Sequence, residues 1–278
     1  MSPEAPLLHH EPVTAQGATP RRWMYVLHGI FGSGRNWATV ARRLVRARPE
    51  WGAVLVDLRE HGASQGFPSP HTLDACAGDL EALVQASGRS ADAVMGHSFG
   101  GKVAMTYVSA GAAPAQLWVV DSTPEAHPSM ENVGGMLELL RDLPGPFDSR
   151  ESGVDALRAQ GLAFPIAQWM ATNLVGNREA GYKWRIDLDS MEELLQDFAR
   201  QDLWGLLESP PRGTEIHLIR AEGSGLLAGK TLARAEELAD GERVFLHAVA
   251  GGHWVNAENP EALHTLLVER LPEDASRG

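Results

Sequence analysis

The sequence predicts an α/β protein built on a doubly wound, mostly parallel sheet, interrupted by a helical insertion. Two observations predict this. Short continuous apolar runs alternate with amphipathic helical stretches through the first half of the chain and again near its end. Between about residues 128 and 210 the alternation stops and only helical spacing remains. The length of 278 residues suits one large domain with a modest insertion.

Residues 1–22 are rich in Pro, His and Gly, with Leu7-Leu8 as a short apolar piece, and predict a weak edge strand or hairpin. The apolar runs at 23–27, 53–58, 91–95, 117–120, 216–219 and 244–249 read as buried strands. They are continuous, as expected where helices cover both faces of a sheet. Residues 37–48 place Val40, Ala41, Leu44 and Val45 on one helical face. Residues 72–87 do the same with Leu73, Ala77, Leu80, Leu83 and Val84, and Gly88 is placed to end that helix. Helices over 99–110 and 260–271 follow, the latter stopped by Pro272. Residues 136–140, 154–162, 166–175 and 191–207 keep helical spacing, punctuated by Pro144-Gly145-Pro146, Phe164-Pro165 and Pro210-Pro211. The expected organisation is a core of residues 1–127 and 211–278 with a helical cap inserted at 128–210.

Composition narrows the function classes. A formal net charge of -12 disfavours nucleic acid as a partner, because phosphate binding needs clustered Lys and Arg. The single cysteine, Cys76, can form no internal disulfide and sits in an apolar helical pattern, so a small buried hydrophobe is expected. No secretory signal or membrane-spanning run is read, and a cytoplasmic location is the expectation. His9-His10 has no Cys, Asp or Glu cluster at ligand spacing, and no metal site is expected.

The chemistry is carried by Gly96-His97-Ser98-Phe99-Gly100, placed between a strand run and a helical run. Glycines allow a sharp strand-to-helix turn that lifts the serine hydroxyl clear of the sheet and sets it at a helix N-terminus. A free hydroxyl is a poor nucleophile and needs a base. His253, in Gly251-Gly252-His253-Trp254 directly after the last strand run, can reach the same sheet edge. His28 and His97 lie in glycine turns, and His217 and His247 lie within strand patterns. Two carboxylates compete to orient the imidazole: Asp121, ending one strand run, and Glu222, following another. Both keep the order serine, acid, histidine, and spacing alone leaves both open. The loop His28-Gly29-Ile30-Phe31-Gly32 can turn the Ile30 N–H toward the nucleophile, forming an oxyanion hole with the Phe99 N–H. The Asp57, Arg59 and Ser64 turn is read as structural.

The pieces LHGIFGSGRNW, DLREHGAS, GHSFGGK, WVVDSTP and GGHWVNAENPEAL resemble the α/β-hydrolase superfamily in order and spacing. With the cap pieces WMATNLV and YKWRIDLDSM, they look most like the YbfF-type bacterial esterases and their mitochondrial relatives, over about residues 23–271. The resemblance implies an eight-stranded sheet and hydrolysis of esters or thioesters without metal or cofactor. It also implies that the acid is the Asp121 of Val120-Asp121-Ser122-Thr123-Pro124. In the wider superfamily the acid falls near Glu222. Where this branch has a Gly-Asn-Ser-like turn, the chain has Glu222-Gly223-Ser224. Phe31, Phe164, Trp169, Trp184 and Trp254 are candidates for an acyl pocket, and Arg185 for an anionic substrate group or for pairing with Asp187 or Asp189. The elbow is equally compatible with C–C bond hydrolases, carrier-substrate methyl esterases and lyases of quinone pathways. A non-catalytic module that binds a partner through the cap is the alternative of another class.

Overall fold

The computed structural model describes residues 6–126 and 131–273. Along them run β1 (His10–Val13), β2 (Arg22–Leu27), α1 (Ala38–Ala47), β3 (Trp51–Val56), α2 (Leu73–Ser87), β4 (Ala93–His97), α3 (Phe99–Ser109) and β5 (Gln116–Val120). Then come α4 (Glu131–Asp142), α5 (Arg150–Ala159), α6 (Phe164–Met170), β6 (Leu174–Asn177), β7 (Gly181–Trp184), α7 (Leu188–Arg200) and α8 (Trp204–Glu208). The chain closes with β8 (Glu215–Ala221), α9 (Gly229–Leu238), β9 (Val244–Val249), α10 (Val255–Glu258) and α11 (Pro260–Arg270).

The main sheet has the order β1-β3-β2-β4-β5-β8-β9. All its pairings are parallel except that of β1 with β3. Alternation of side chains along each strand builds a core on both faces. Tyr25, Leu27, Val54, Val94, Leu117 and Val119 pack under α2 and α3. Met24, Val26, Ala53, Met95, Trp118 and Val120 pack with Val40 and Leu44 of α1 and Leu263 and Leu267 of α11. Helix ends follow local chemistry. Thr72 Oγ1 accepts the Ala75 N–H at 3.1 Å to start α2, and Gly88 ends it in the left-handed region, φ 64°.

Three expectations need correction. The main sheet has seven strands rather than eight, because the N-terminal segment supplies only the short edge strand β1 among the described residues. The inserted region is not purely helical. β6 and β7 form an antiparallel hairpin, so the helix expected over 166–175 stops at Met170. Each of these strands has four residues and a glycine, too short for a period-two pattern to register. Helix α9, not anticipated, buries only Thr231 and Ala235, too narrow an apolar stripe to read from sequence. The expected join at residues 127–128 lies outside the described residues. Among the described residues no helix is long and apolar enough to cross a membrane.

The region between β5 and β8 is moored through α7. Asp197 Oδ2 accepts the Leu73 N–H at 2.7 Å, completing the N-terminus of α2. Lys102, fully buried on α3, donates from Nζ to the carbonyls of Glu125, Phe198 and Gln201 at 2.8, 2.8 and 2.9 Å. Burial lowers its pKa to about 8, and the three carbonyls satisfy all three ammonium protons.

Candidate active site

The chain leaves β2 toward β3 on one side and, after α2, returns to β4 on the other side of β2. The crevice at the carboxyl ends of β2 and β4 is therefore the switch point where ligands gather in such sheets. Ser98 stands there at the tip of β4, half-buried, with φ 53° and ψ −118°. A non-glycine residue in that conformation is strained. It is held by its N–H bonded to Val120 O at 3.0 Å and by Ser122 Oγ donating to Ser98 O at 2.6 Å. The elbow glycines are steric requirements: a Cβ at Gly96 would strike the Gly100 carbonyl, and one at Gly100 the His28 carbonyl.

His253 follows β9 and is reached across β5 and β8. Its Nδ1 lies 2.7 Å from Asp121 Oδ2. Asp121, φ 41°, is completely buried and receives the Ala221 N–H on Oδ1 at 3.2 Å. A carboxylate only accepts, so this contact puts the ring proton on Nδ1 and leaves Nε2 as a lone-pair acceptor. Glu222 lies elsewhere. Its N–H continues the ladder to Val249 O at 3.0 Å, and its side chain is exposed. Among the described residues Ser98 Oγ and His253 Nε2 make no hydrogen bond, to each other or to another group. Such bonds commonly close only when substrate is bound.

The loop after β2 is also strained: Phe31 has φ 61°. Among the described residues the N–H groups of Ile30 and Phe99 have no protein acceptor. Phe31 itself is buried in the core, and its carbonyl accepts from Asn173 Nδ2 at 2.8 Å, tying this loop to the region between β5 and β8.

The aromatic candidates separate. Trp169 and Trp254 pack together, ring centroids 4.4 Å apart, and both line a cavity of about 370 Å³ between the loops after β2 and β9. Phe164 is 49% exposed and stacks under Arg158 instead. Trp184 donates to Leu143 O at 2.6 Å and packs edge-on to Phe147, away from that cavity. Arg185 donates to Gly62 O at 2.8 Å, so neither Asp187 nor Asp189 is its partner.

Sequence reasoning passed over three supporting residues. His97, treated as packing in a glycine turn, places its ring 4.8 Å from that of His253 and its Nε2 2.8 Å from His253 O. Burial, reinforced by the neighbouring His253, pushes its pKa down to about 3, so it is a neutral donor. Glu258 accepts the Gly252 N–H and props the same loop, and Ser122 braces the elbow. Only the position of His97 inside the elbow motif was a usable signal. The turn after β3 is structural: Asp57 receives the N–H groups of Gly34 and Ala63, each at 2.8 Å, and Arg59 pairs with Asp79.

Comparisons with known proteins agree with this architecture. The alpha/beta hydrolase family model matches residues 24–266. The sn-1-specific diacylglycerol lipase ABHD11 of Danio rerio is 28% identical, covering 84% of this chain and 73% of its own. A 2-succinyl-6-hydroxy-2,4-cyclohexadiene-1-carboxylate synthase of Pectobacterium atrosepticum is 33% identical, covering 81% and 71%. Esterase YbfF of Escherichia coli is 24% identical, covering 90% and 93%. Among solved structures a marine microorganism esterase superposes with a TM-score of 0.79 over 95% of this chain and 99% of its own, at 20% identity. Taken with the elbow and the doubly wound sheet, these matches establish that the chain belongs to the alpha/beta hydrolase family.

Proposed function

We propose that the protein is a serine hydrolase that cleaves carboxylic esters or thioesters through an acyl-enzyme on Ser98. The observation that carries the proposal is the 2.7 Å contact between His253 Nδ1 and the buried Asp121, beside a serine held at φ 53°. Ser98 Oγ attacks the acyl carbon while His253 Nε2 takes its proton. The N–H groups of Ile30 and Phe99 receive the oxyanion, each worth roughly 3–4 kcal/mol in the transition state. The adduct collapses, His253 protonates the departing oxygen or sulfur, and then activates water to release the acid. Asp121 orients the imidazole and stabilises its cation. No step calls for a metal or cofactor. Residues 128–210 act as a cap on a core of 1–127 and 211–278; the Asn173 and Trp169 contacts with the loops after β2 and β9 support this.

A panel of acyl esters and acyl thioesters of graded chain length tests the reading. Wild type should turn over members of the panel, and Ser98→Ala should lose that activity while keeping its fold. Equal turnover by Ser98→Ala would overturn it.

The 33% identical synthase favours a second reading, in which the same serine, histidine and aspartate act on a carboxylate-bearing substrate without hydrolysing an ester. Such a substrate calls for a cation beside the reacting group, and among the described residues neither Lys nor Arg lines the cavity shared by Trp169 and Trp254. Ester turnover is therefore the better-supported reading.

A further inference from the structure

We propose that the cavity between the loops following β2 and β9 is the leaving-group subsite and selects an uncharged aromatic alcohol or thiol; this rests on the acyl-enzyme reading above. The loops meet where Asn256 Nδ2 donates to Asn36 O at 3.0 Å, and the cavity of about 370 Å³ lies between them. One wall is Gly29, where a Cβ would stand 3.4 Å from Ser98 Cβ. Another is Trp254, whose ring is 5.5 Å from that of His253.

The chemistry of collapse assigns the occupant. When the bond from acyl carbon to leaving oxygen or sulfur breaks, that atom takes the proton His253 received from Ser98 Oγ. The leaving group must therefore lie on the His253 side of the nucleophile, and His97 and Trp254, which both line the cavity, stand with their rings 4.8 and 5.5 Å from that of His253. Its surface is aromatic and apolar: Trp37, Ile166, Trp169 and Trp254 contribute, with the rings of Trp169 and Trp254 inclined at 59°. Tilted indoles offer both faces and edges to a guest ring. A cavity of roughly 150 Å³ suffices for benzene, so a bicyclic ring has room here.

Charge sharpens the choice. Among the described residues neither Lys nor Arg lines the cavity, and the ionisable side chains there are His97 and Glu258. His97 stays neutral, its pKa lowered to about 3 by burial. A carboxylate on the leaving group would lose water without gaining a cation, and would face Glu258.

The test is hydrolysis of one acyl group carried as ethyl, cyclohexylmethyl, benzyl, 2-naphthylmethyl and 4-carboxybenzyl esters, alcohols of similar leaving ability. The proposal expects kcat/KM to rise from ethyl to 2-naphthylmethyl by about tenfold or more. Benzyl should exceed cyclohexylmethyl, and 4-carboxybenzyl should fall at least about tenfold below benzyl. Trp169→Ala should collapse the ratio of 2-naphthylmethyl to ethyl, through KM, and Ile166→Trp, which fills the cavity, should do the same. In parallel, 2-naphthylmethanol should quench the tryptophan fluorescence of Ser98→Ala, and the added Ile166→Trp change should abolish that binding. A flat profile across alcohols, or a preference and quenching that survive Ile166→Trp, overturns the subsite while leaving the acyl-enzyme reading intact. Failure of folded wild type to cleave any of the esters overturns both.

Discussion

Two histidine–carboxylate pairs sit at opposite ends of the sheet, and their burial is reversed. At the amino end of β8, His217 Nε2 lies 3.4 Å from Glu215 Oε2, with side chains 1% and 46% exposed. At the carboxyl ends of β5 and β9, His253 lies 2.7 Å from Asp121, with side chains 31% and 0% exposed. His217 is stacked flat against Trp118 at 4.0 Å and Phe245 at 4.7 Å, and its Nδ1 is occupied by His247 Nε2 at 3.0 Å. Both of its nitrogens have protein partners. His253 keeps one nitrogen unengaged among the described residues, while its acid is sealed from water. A histidine beside a carboxylate is thus not itself a catalytic signal. What distinguishes the pair proposed as catalytic is a buried acid with a partly exposed base, next to a strained serine.

The largest effect that can break this comparison is in turnover. Asp121→Asn should lower kcat on the order of 10⁴-fold, because the amide favours the wrong tautomer. Glu215→Gln, the formal counterpart, should leave ester turnover within about twofold. Steady-state kinetics on one activated ester measures both. Next comes His97→Phe, which keeps a ring but removes the donor to His253 O. It should cost roughly tenfold to hundredfold in kcat, whereas His247→Phe at the other pair should not slow the reaction.

Acid stability sharpens the contrast from the other side. The fold keeps His217 neutral down to about pH 4, by burial first and by His247 second. The unfolded chain takes up that proton near pH 6.5. This part of the stability is therefore intact above pH 6.5 and is lost as pH falls through about 4. His217→Phe, able to keep the stack, should weaken the fall in melting temperature between those values; an unchanged acid limb contradicts the assignment. The smallest expected effect is that of Glu222→Gln, within about twofold in kcat/KM and stability, since exposed carboxylates contribute little.

The sheet was legible because its central strands are continuous apolar runs buried on both faces, and the observed limits of the six expected strands lie within two residues of the expected ones. The elbow and the histidine after the last strand were legible because glycines punctuate both. The competition between Asp121 and Glu222 was not decided by spacing, since the two follow neighbouring parallel strands. What separates them is side-chain direction: the N–H of each bonds the neighbouring strand, but Asp121, at φ 41°, buries its carboxylate completely while Glu222 faces solvent. Only the family resemblance pointed to Asp121 beforehand. The hairpin β6–β7 and helix α9 left no periodic trace, being short and sparsely buried. The bond from His97 to the His253 carbonyl spans 156 residues and has no sequence signature.

Labelling with a fluorophosphonate, read by intact mass and peptide mapping, tests most directly whether His253 and Asp121 activate Ser98. The account predicts one adduct on Ser98, absent in Ser98→Ala, formed far more slowly in Asp121→Asn and at the wild-type rate in Glu222→Gln. Labelling that proceeds normally in Asp121→Asn but disappears in a folded Glu222→Gln would contradict it.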